Sequence, residues 1–279
     1  MKAKGQPIVE PAFPRVKPVL RWAGGKSWLI DRIRSHIPEI YDAYYEPFAG
    51  AASVFLNLIN TDQAHLADLN HELIDFYHQV QNNLQGLLAT LREYQNDEQF
   101  FYQLRQTESA DPLIRAARFY YLNRTCFNGL YRVNLSGQFN VPYGYRTVDI
   151  IDEEGFVFLN KKLSGVNLLC QDFASVIDMA RKQDFVFLDP PYTVAHNHNG
   201  FIQYNQKIFS WHDQERLAAK TRELCKKDVR FIMTNACHDS IKTLYKGIGN
   251  LYEVDRQSTI SGKNKSRAKV SEVIITNIF

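Results

Sequence analysis

Apolar residues recur along this chain in two alternating rhythms. Short runs rich in aromatic and β-branched residues predict strands at Tyr44–Tyr45, His65–Ala67, Val166–Leu169, Phe185–Leu188, Phe231–Thr234, Leu251–Asp255 and Val270–Thr276. Between them, apolar spacings of three and four predict helices over Trp28 to Ile37 before Pro38, over Val54 to Ile59, and from His71 to about Gln81 behind an Asn70 cap. Further helical periodicity covers Leu84 to Leu122, Glu153 to Leu163, Ser175 to Arg181, a stretch from an Asp213 cap to Lys226, and Ser240 to Tyr245. Alternating strands and helices predict an α/β fold with seven strands, the last two an antiparallel pair flanking Arg256 to Lys269. The long helical stretch then reads as a subdomain inserted into the sheet.

Several predicted strands stop at an acid. The run Phe185–Leu188 ends at Asp189, Pro190, Pro191 and Tyr192, and two prolines cannot continue a sheet ladder, so the Asp189 carboxylate is placed at a strand's C-terminal end. Ligands of open α/β sheets bind at that edge, and an acid, a rigid backbone and an aromatic face suit a flat polar substrate. Glu46, Pro47, Phe48, Ala49 and Gly50 follow the first strand, and the turn Gly50–Ala52 lets the backbone approach a ligand closely. Asp68 ends the second strand about 20 positions after the glycine turn, where an acid is either a helix cap or a partner for ribose hydroxyls. Asp172 and Phe173 follow the third strand, as an N-cap or as an acid and a ring for a purine. Upstream, Leu20 to Ser27 resembles a P-loop, but Leu20 stands where the first glycine is required, which excludes triphosphate binding there. It reads as a helix-start turn with Trp22 and Lys26 beside it.

The composition, 45% hydrophobic and 23% charged over 279 residues, is that of a globular protein with one large core plus an insertion. No apolar run reaches the roughly 18 residues of a membrane span and no signal segment opens the chain, so a cytoplasmic location and no membrane partner are expected. The four cysteines have no metal-finger spacing, and His196 and His198 lack nearby partners, so no metal is expected. Residues 1–17, with Pro7, Pro11 and Pro14, read as a flexible arm. A net charge of +3 decides little, but its distribution does. Between Asp111 and Asp149 there is no acid, yet Arg115, Arg118, Arg124, Arg132 and Arg146 occur; Lys263, Lys265, Arg267 and Lys269 form a second basic cluster. Across Asn123 to Arg146, arginines and asparagines alternate with aromatics, residue types that read guanine and adenine edges and stack on bases.

Five blocks now carry a resemblance: LRWAGGKSWLI, EPFAGAASVFLNL, LADLNHELIDFY, YLNRTCFNGLYRVNLSGQFNVPYG and FLDPPY, in this order from Pro18 onward. They resemble the Dam-type DNA adenine-N6 methyltransferases, which use S-adenosylmethionine and act on GATC. The resemblance implies an α/β fold, a seven-stranded Rossmann-like methyltransferase sheet with an inserted helical and hairpin DNA-recognition subdomain. It implies a catalytic domain of residues 18–75 and 148–279 and a target-recognition subdomain of 76–147. Asp189, Pro190, Pro191 and Tyr192 become the catalytic residues, with base flipping as the expected route. Cofactor contacts fall on Trp22, Lys26, Asp68, Asp189, Asp172 and Phe173, with Glu46, Phe48 and Gly50 in the same set. DNA contacts fall on Arg21, Phe127, Asn128, Leu130, Arg132, Asn134 and Pro142, with Lys263 and Arg267 added from the basic cluster. Two positions depart from the family pattern: Ala52 replaces a glycine, and Arg21 a lysine. The expected partner is double-stranded DNA containing GATC, bound by a monomer or by a dimer on DNA. A restriction-modification, phage, or replication and repair setting each fits. The rivals are cytosine-N4 or RNA methylation on the same scaffold and a silent DNA-binding module, which the intact DPPY disfavours.

Overall fold

A computed structural model of the protein describes residues 15–134, 136–145, 149–193, 209–257 and 269–278. One sheet organises them. Its strands are β1 (Tyr44–Glu46), β2 (Ala64–Ala67), β3 (Asn167–Leu169), β4 (Phe185–Leu188), β5 (Arg230–Ala236), β6 (Asn250–Gln257) and β7 (Lys269–Thr276), in the order β3-β2-β1-β4-β5-β7-β6. β1 to β5 run parallel, and β7 lies antiparallel between β5 and β6. The seven strands and the antiparallel finish agree with the hydrophobic pattern.

Alternation along each strand sends side chains to two cores. Tyr44, Leu66, Phe185, Phe187, Ile232 and Ile274 join one; Tyr45, Ala67, Val186, Leu188, Phe231, Met233, Val273 and Ile275 join the other. Helices α1 (Ile30–Ile33), α2 (Ser53–Leu58), α3 (His71–Asn82), α4 (Leu84–Arg92), α5 (Glu98–Gln106), α6 (Pro112–Thr125) and α7 (Glu153–Leu163) contribute to the first core. Helices α8 (Phe173–Met179), α9 (Trp211–Lys226) and α10 (Asp239–Leu244) contribute to the second. Because both faces are covered, the parallel strands read as continuous apolar runs, as Phe185–Leu188 does. β1 leads to β2 and β3 on one side, while β4 and β5 lie on the other, so the sheet's switch point falls between β1 and β4.

Between β2 and β3 the chain makes α3 to α7. Asn70 caps α3 by accepting the Leu73 N–H at 3.2 Å, as expected. α3 then runs unbroken through the boundary placed at residues 75 and 76. After α6, antiparallel bridges Cys126–Tyr143 and Val133–Phe139 close a hairpin-like loop.

Among the helix boundaries that differ from the pattern, three have a clear local cause. The segment expected to be helical from Trp28 to Ile37 is α1 followed by a single 3-10 turn, Arg34–His36; Ile37 is extended because proline at 38 crowds a helical predecessor. α8 starts at Phe173 rather than Ser175 because the Asp172 carboxylate accepts the Ala174 N–H at 3.0 Å. α9 is capped by Ser210, not Asp213. The Ser210 hydroxyl accepts the Asp213 N–H at 3.2 Å and the Asp213 carboxylate accepts the Ser210 N–H at 2.9 Å, a reciprocal capping box. Most of the N-terminal arm, Arg146, His196, His198, Lys263, Lys265 and Arg267 lie outside the described residues. Among the described residues no helix is long and apolar enough to cross a membrane.

Candidate active site

The strand ends bring the acids together. Glu46, Asp68 and Asp189 close β1, β2 and β4, three neighbours in the sheet, so the glycine turn and the DPPY turn flank the switch point. Asp189 Oδ1 lies 2.8 Å from the Lys26 ammonium and accepts the Thr234 hydroxyl at 2.6 Å. Among the described residues Oδ2 takes no bond. Burial pushes the Asp189 carboxyl up from its ordinary range, while Lys26 pulls it back. Pro190 is buried and Pro191 half-buried, which fixes the backbone that follows.

Lys26, expected at the cofactor, is 3% exposed and committed to the acids. Its ammonium donates to the Gly24 carbonyl at 2.9 Å, lies 3.8 Å from Glu272 Oε2, and stands 4.9 Å from the Tyr192 ring centroid. The Tyr192 hydroxyl donates to Glu272 Oε2 at 2.6 Å. Burial and the two neighbouring carboxylates hold its ionisation well above the ordinary tyrosine range.

Gly50 has φ +47°, and a β-carbon there would lie 2.7 Å from Trp22 Cδ1, so only glycine lets the indole close on the turn. The Gly50 N–H donates to Asp68 Oδ2 at 3.1 Å, and its carbonyl accepts the Tyr77 hydroxyl at 2.7 Å. Asp68 Oδ1 accepts the Asn70 N–H at 3.0 Å; burial raises this carboxyl above its usual range. Asn70, not Asp68, is the cap of α3; Asp68 braces the glycine turn and the Asn70 backbone, and lies partly exposed at the edge. Ala52, at the glycine position of the family pattern, has φ +53° and is 1% exposed.

Three expected cofactor contacts sit differently. Glu46 is 2% exposed, accepts the Tyr44 hydroxyl at 2.7 Å, and is pushed up to about 8 by burial. Phe173 is buried, stacked on Phe48 at 5.4 Å, with the Arg216 guanidinium 4.8 Å from its centroid. Asp172 caps α8 and pairs with Arg216 at 2.7 Å, both through Oδ1. Phe48 keeps partial exposure beside them.

The loop after α6 presents Phe127, Asn128, Arg132, Asn134 and Pro142 to solvent, with Leu130 half-buried. Phe127 is 52% exposed, an unusual position for that ring, and Asn128 adopts φ +57°. Arg132 Nε donates to Asn140 Oδ1 at 2.8 Å. Asn134 Oδ1 accepts the Ser136 and Gln138 N–H groups, each at 2.9 Å, so this side chain shapes the hairpin turn. Two members of the basic run are paired within the chain. Arg115 pairs with Asp75 at 2.7 Å and Arg118 with Glu72 at 2.9 Å, both acids on α3, so the acid-free stretch borrows its counter-charges from elsewhere in the chain.

Arg21 joins the loop through a residue the pattern did not single out. Asn123, fully buried at the end of α6, accepts the Arg21 N–H at 2.8 Å and donates to the Arg21 carbonyl at 2.7 Å. A β-carbon on Gly129 would meet the Arg21 side chain at 2.3 Å. Next to it, Trp22 stacks on Tyr131 at 5.6 Å. Segment 21–26 therefore touches the loop after α6, the glycine turn and Asp189 in turn. Glu272 and Thr234 also escaped the sequence reading; the only signal was an acid inside an otherwise apolar strand at Val270–Thr276.

The model of the D12 class N6 adenine-specific DNA methyltransferases matches residues 22–260. A type II methyltransferase, M1.LlaDCHI of Lactococcus lactis subsp. cremoris, is 34% identical over 94% of this chain and 95% of its own length. The DNA adenine methylase of Serratia marcescens is 36% identical over 91% of this chain and 96% of its own. The type II methyltransferase M.MjaIII of Methanocaldococcus jannaschii is 33% identical, covering 94% and 99%.

Proposed function

The chain belongs to the D12 class of N6 adenine-specific DNA methyltransferases, and on that premise we propose that it methylates N6 of an adenine flipped out of GATC in duplex DNA. S-adenosylmethionine is the donor of this proposal; when bound it supplies an electrophilic methyl group on sulfur. The chain's own residues fit a nucleoside of that kind. The Gly50 turn is backed by the Trp22 indole and by the Asp68 carboxylate at the neighbouring strand end. Trp22, Gly50 and Asp68 would hold the nucleoside, and Phe48 would border it. Glu46, Asp172, Phe173 and Lys26 shape the walls, given the partners they already have.

One observation carries the chemistry: Asp189 spends Oδ1 on Lys26 and Thr234, leaving Oδ2 for a substrate. The N6 lone pair of adenine is delocalised into the purine. Oδ2 and the Pro190 carbonyl would accept the two N6 hydrogens and draw the nitrogen towards a tetrahedral geometry. The N6 lone pair then forms the new N–C bond, the C–S electron pair stays on sulfur, and one N6 proton passes to Asp189 Oδ2 and on to water. Tyr192 would stack on the extruded base, offsetting part of the few kcal/mol that unstacking costs. Most of the acceleration comes from holding the two reactants in line.

Target reading falls to the insertion between β2 and β3, about residues 76–147, with Arg21 clamped against it. Phe127, Asn128, Leu130, Arg132 and Pro142 form its presented edge. The test is to incubate plasmid with protein and S-adenosylmethionine, then cut with GATC endonucleases that differ in their response to adenine methylation. Protection against the blocked nuclease, with N6-methyladenine as the product base, is expected; N4-methylcytosine or an unprotected plasmid would overturn the reading.

A further inference from the structure

Glu272 has no role in the chemistry described so far, yet it touches two parts of it and reaches a third through Lys26. It lies on β7 opposite Ala236 of β5 and is 1% exposed. Its Oε2 accepts the Tyr192 hydroxyl at 2.6 Å and sits 3.8 Å from the Lys26 ammonium, which in turn lies 2.8 Å from Asp189. A buried acid in a strand is costly unless its charge is used or paired. We infer that Glu272 is a positioning residue for methyl transfer: it fixes the plane of the Tyr192 ring and shares Lys26 with Asp189, so that the Asp189 carboxylate stays a strong enough acceptor to draw on the N6 hydrogens. The inference rests on the Asp189 and Tyr192 roles proposed above.

The geometry separates two duties. Holding the tyrosine needs only an acceptor oxygen, which glutamine also has. Sharing the ammonium needs a charge, which glutamine lacks. With Glu272 neutral, Lys26 is balanced by Asp189 alone and the acid becomes a weaker acceptor. Among the described residues, the charged or titratable groups around Asp189 are Lys26 from the loop before α1, Glu46 at the end of β1, Tyr192 from its own turn and Glu272 from β7. Of these, Glu272 raises the Asp189 carboxyl and Lys26 lowers it. Removing the Glu272 charge therefore moves the acid limb of kcat to lower pH.

The experiment compares Glu272→Gln, Glu272→Ala and Tyr192→Phe in the full chain, with Asp189→Ala as control. Glu272→Gln should lower kcat about tenfold, keep KM for DNA and S-adenosylmethionine, shift the acid limb to lower pH, and retain the fluorescence of 2-aminopurine placed at the target adenine. Glu272→Ala should lose on the order of a hundredfold in kcat and lose that fluorescence signal, with non-additive effects when combined with Tyr192→Phe. Wild-type kcat with an unmoved acid limb in Glu272→Gln overturns the inference, and this near-isosteric variant decides the matter even if Glu272→Ala fails to fold. An Asp189→Ala enzyme that still methylates DNA would instead bring down the reading of the active centre.

Discussion

At the level of single residues, the departure from the family pattern at Ala52 has a measurable cost. A left-handed backbone strains a β-carbon by roughly 1–2 kcal/mol, and Ala52 holds φ +53° at the start of α2. Ala52→Gly should therefore raise unfolding stability by about 1 kcal/mol, read from urea midpoints at unchanged slope. Glu46 provides a second test. Its carboxyl is pushed up to about 8 in the folded chain, against an unfolded value near 4.3. Between those values the folded state holds a proton that the unfolded state has released, so stability falls as pH rises. Glu46→Gln should remove a slope of up to about 1.4 kcal/mol per pH unit, and urea unfolding of both proteins at several pH values between 5 and 8 checks it. A difference that stays constant with pH would mean that Glu46 is ionised in the folded protein.

At the level of elements, the connection between segment 21–26 and the loop after α6 rests on Asn123. Both polar groups of its side chain close on the Arg21 backbone, so Asn123→Ala leaves a buried donor and acceptor without partners. A loss of about 3 kcal/mol is expected, together with a raised KM for DNA, since Arg21 would no longer be held against Gly129. Urea unfolding and steady-state kinetics on one preparation test both halves. The sequence could not announce this clamp. An asparagine within a helical pattern carries no mark of its partner, and Arg21 and Asn123 are 102 residues apart. The same limit hid the counter-charges of Arg115 and Arg118, whose acids Asp75 and Glu72 precede them by 40 and 46 residues. It also hid the neighbours of Phe173, a buried ring packed by Phe48, Phe209 and Arg216.

For the whole molecule, strand content and order of elements were legible because a doubly covered parallel sheet writes its strands as uninterrupted apolar runs that stop at acids. Asp189 and Asp68 were visible for that reason. What could not be read was which acids stay available. The distinction depends on partners brought across the sheet: Thr234 from β5, Lys26 from the loop before α1, and Glu272 from the antiparallel strand β7. These contacts gather a row of strand-end acids into one cluster in which, among the described residues, one oxygen of Asp189 takes no bond.

That oxygen is the subject of the most direct test. In Asp189→Asn the amide oxygen stays with the two donors, Lys26 and Thr234, which turns the amide NH2 towards the position of the N6 hydrogens. Methyl transfer to a GATC duplex, measured in a single turnover with labelled S-adenosylmethionine, should fall by at least about a thousandfold while thermal unfolding and cofactor binding stay close to those of the unaltered protein. A folded Asp189→Asn enzyme that methylates adenine at the original rate would contradict the account.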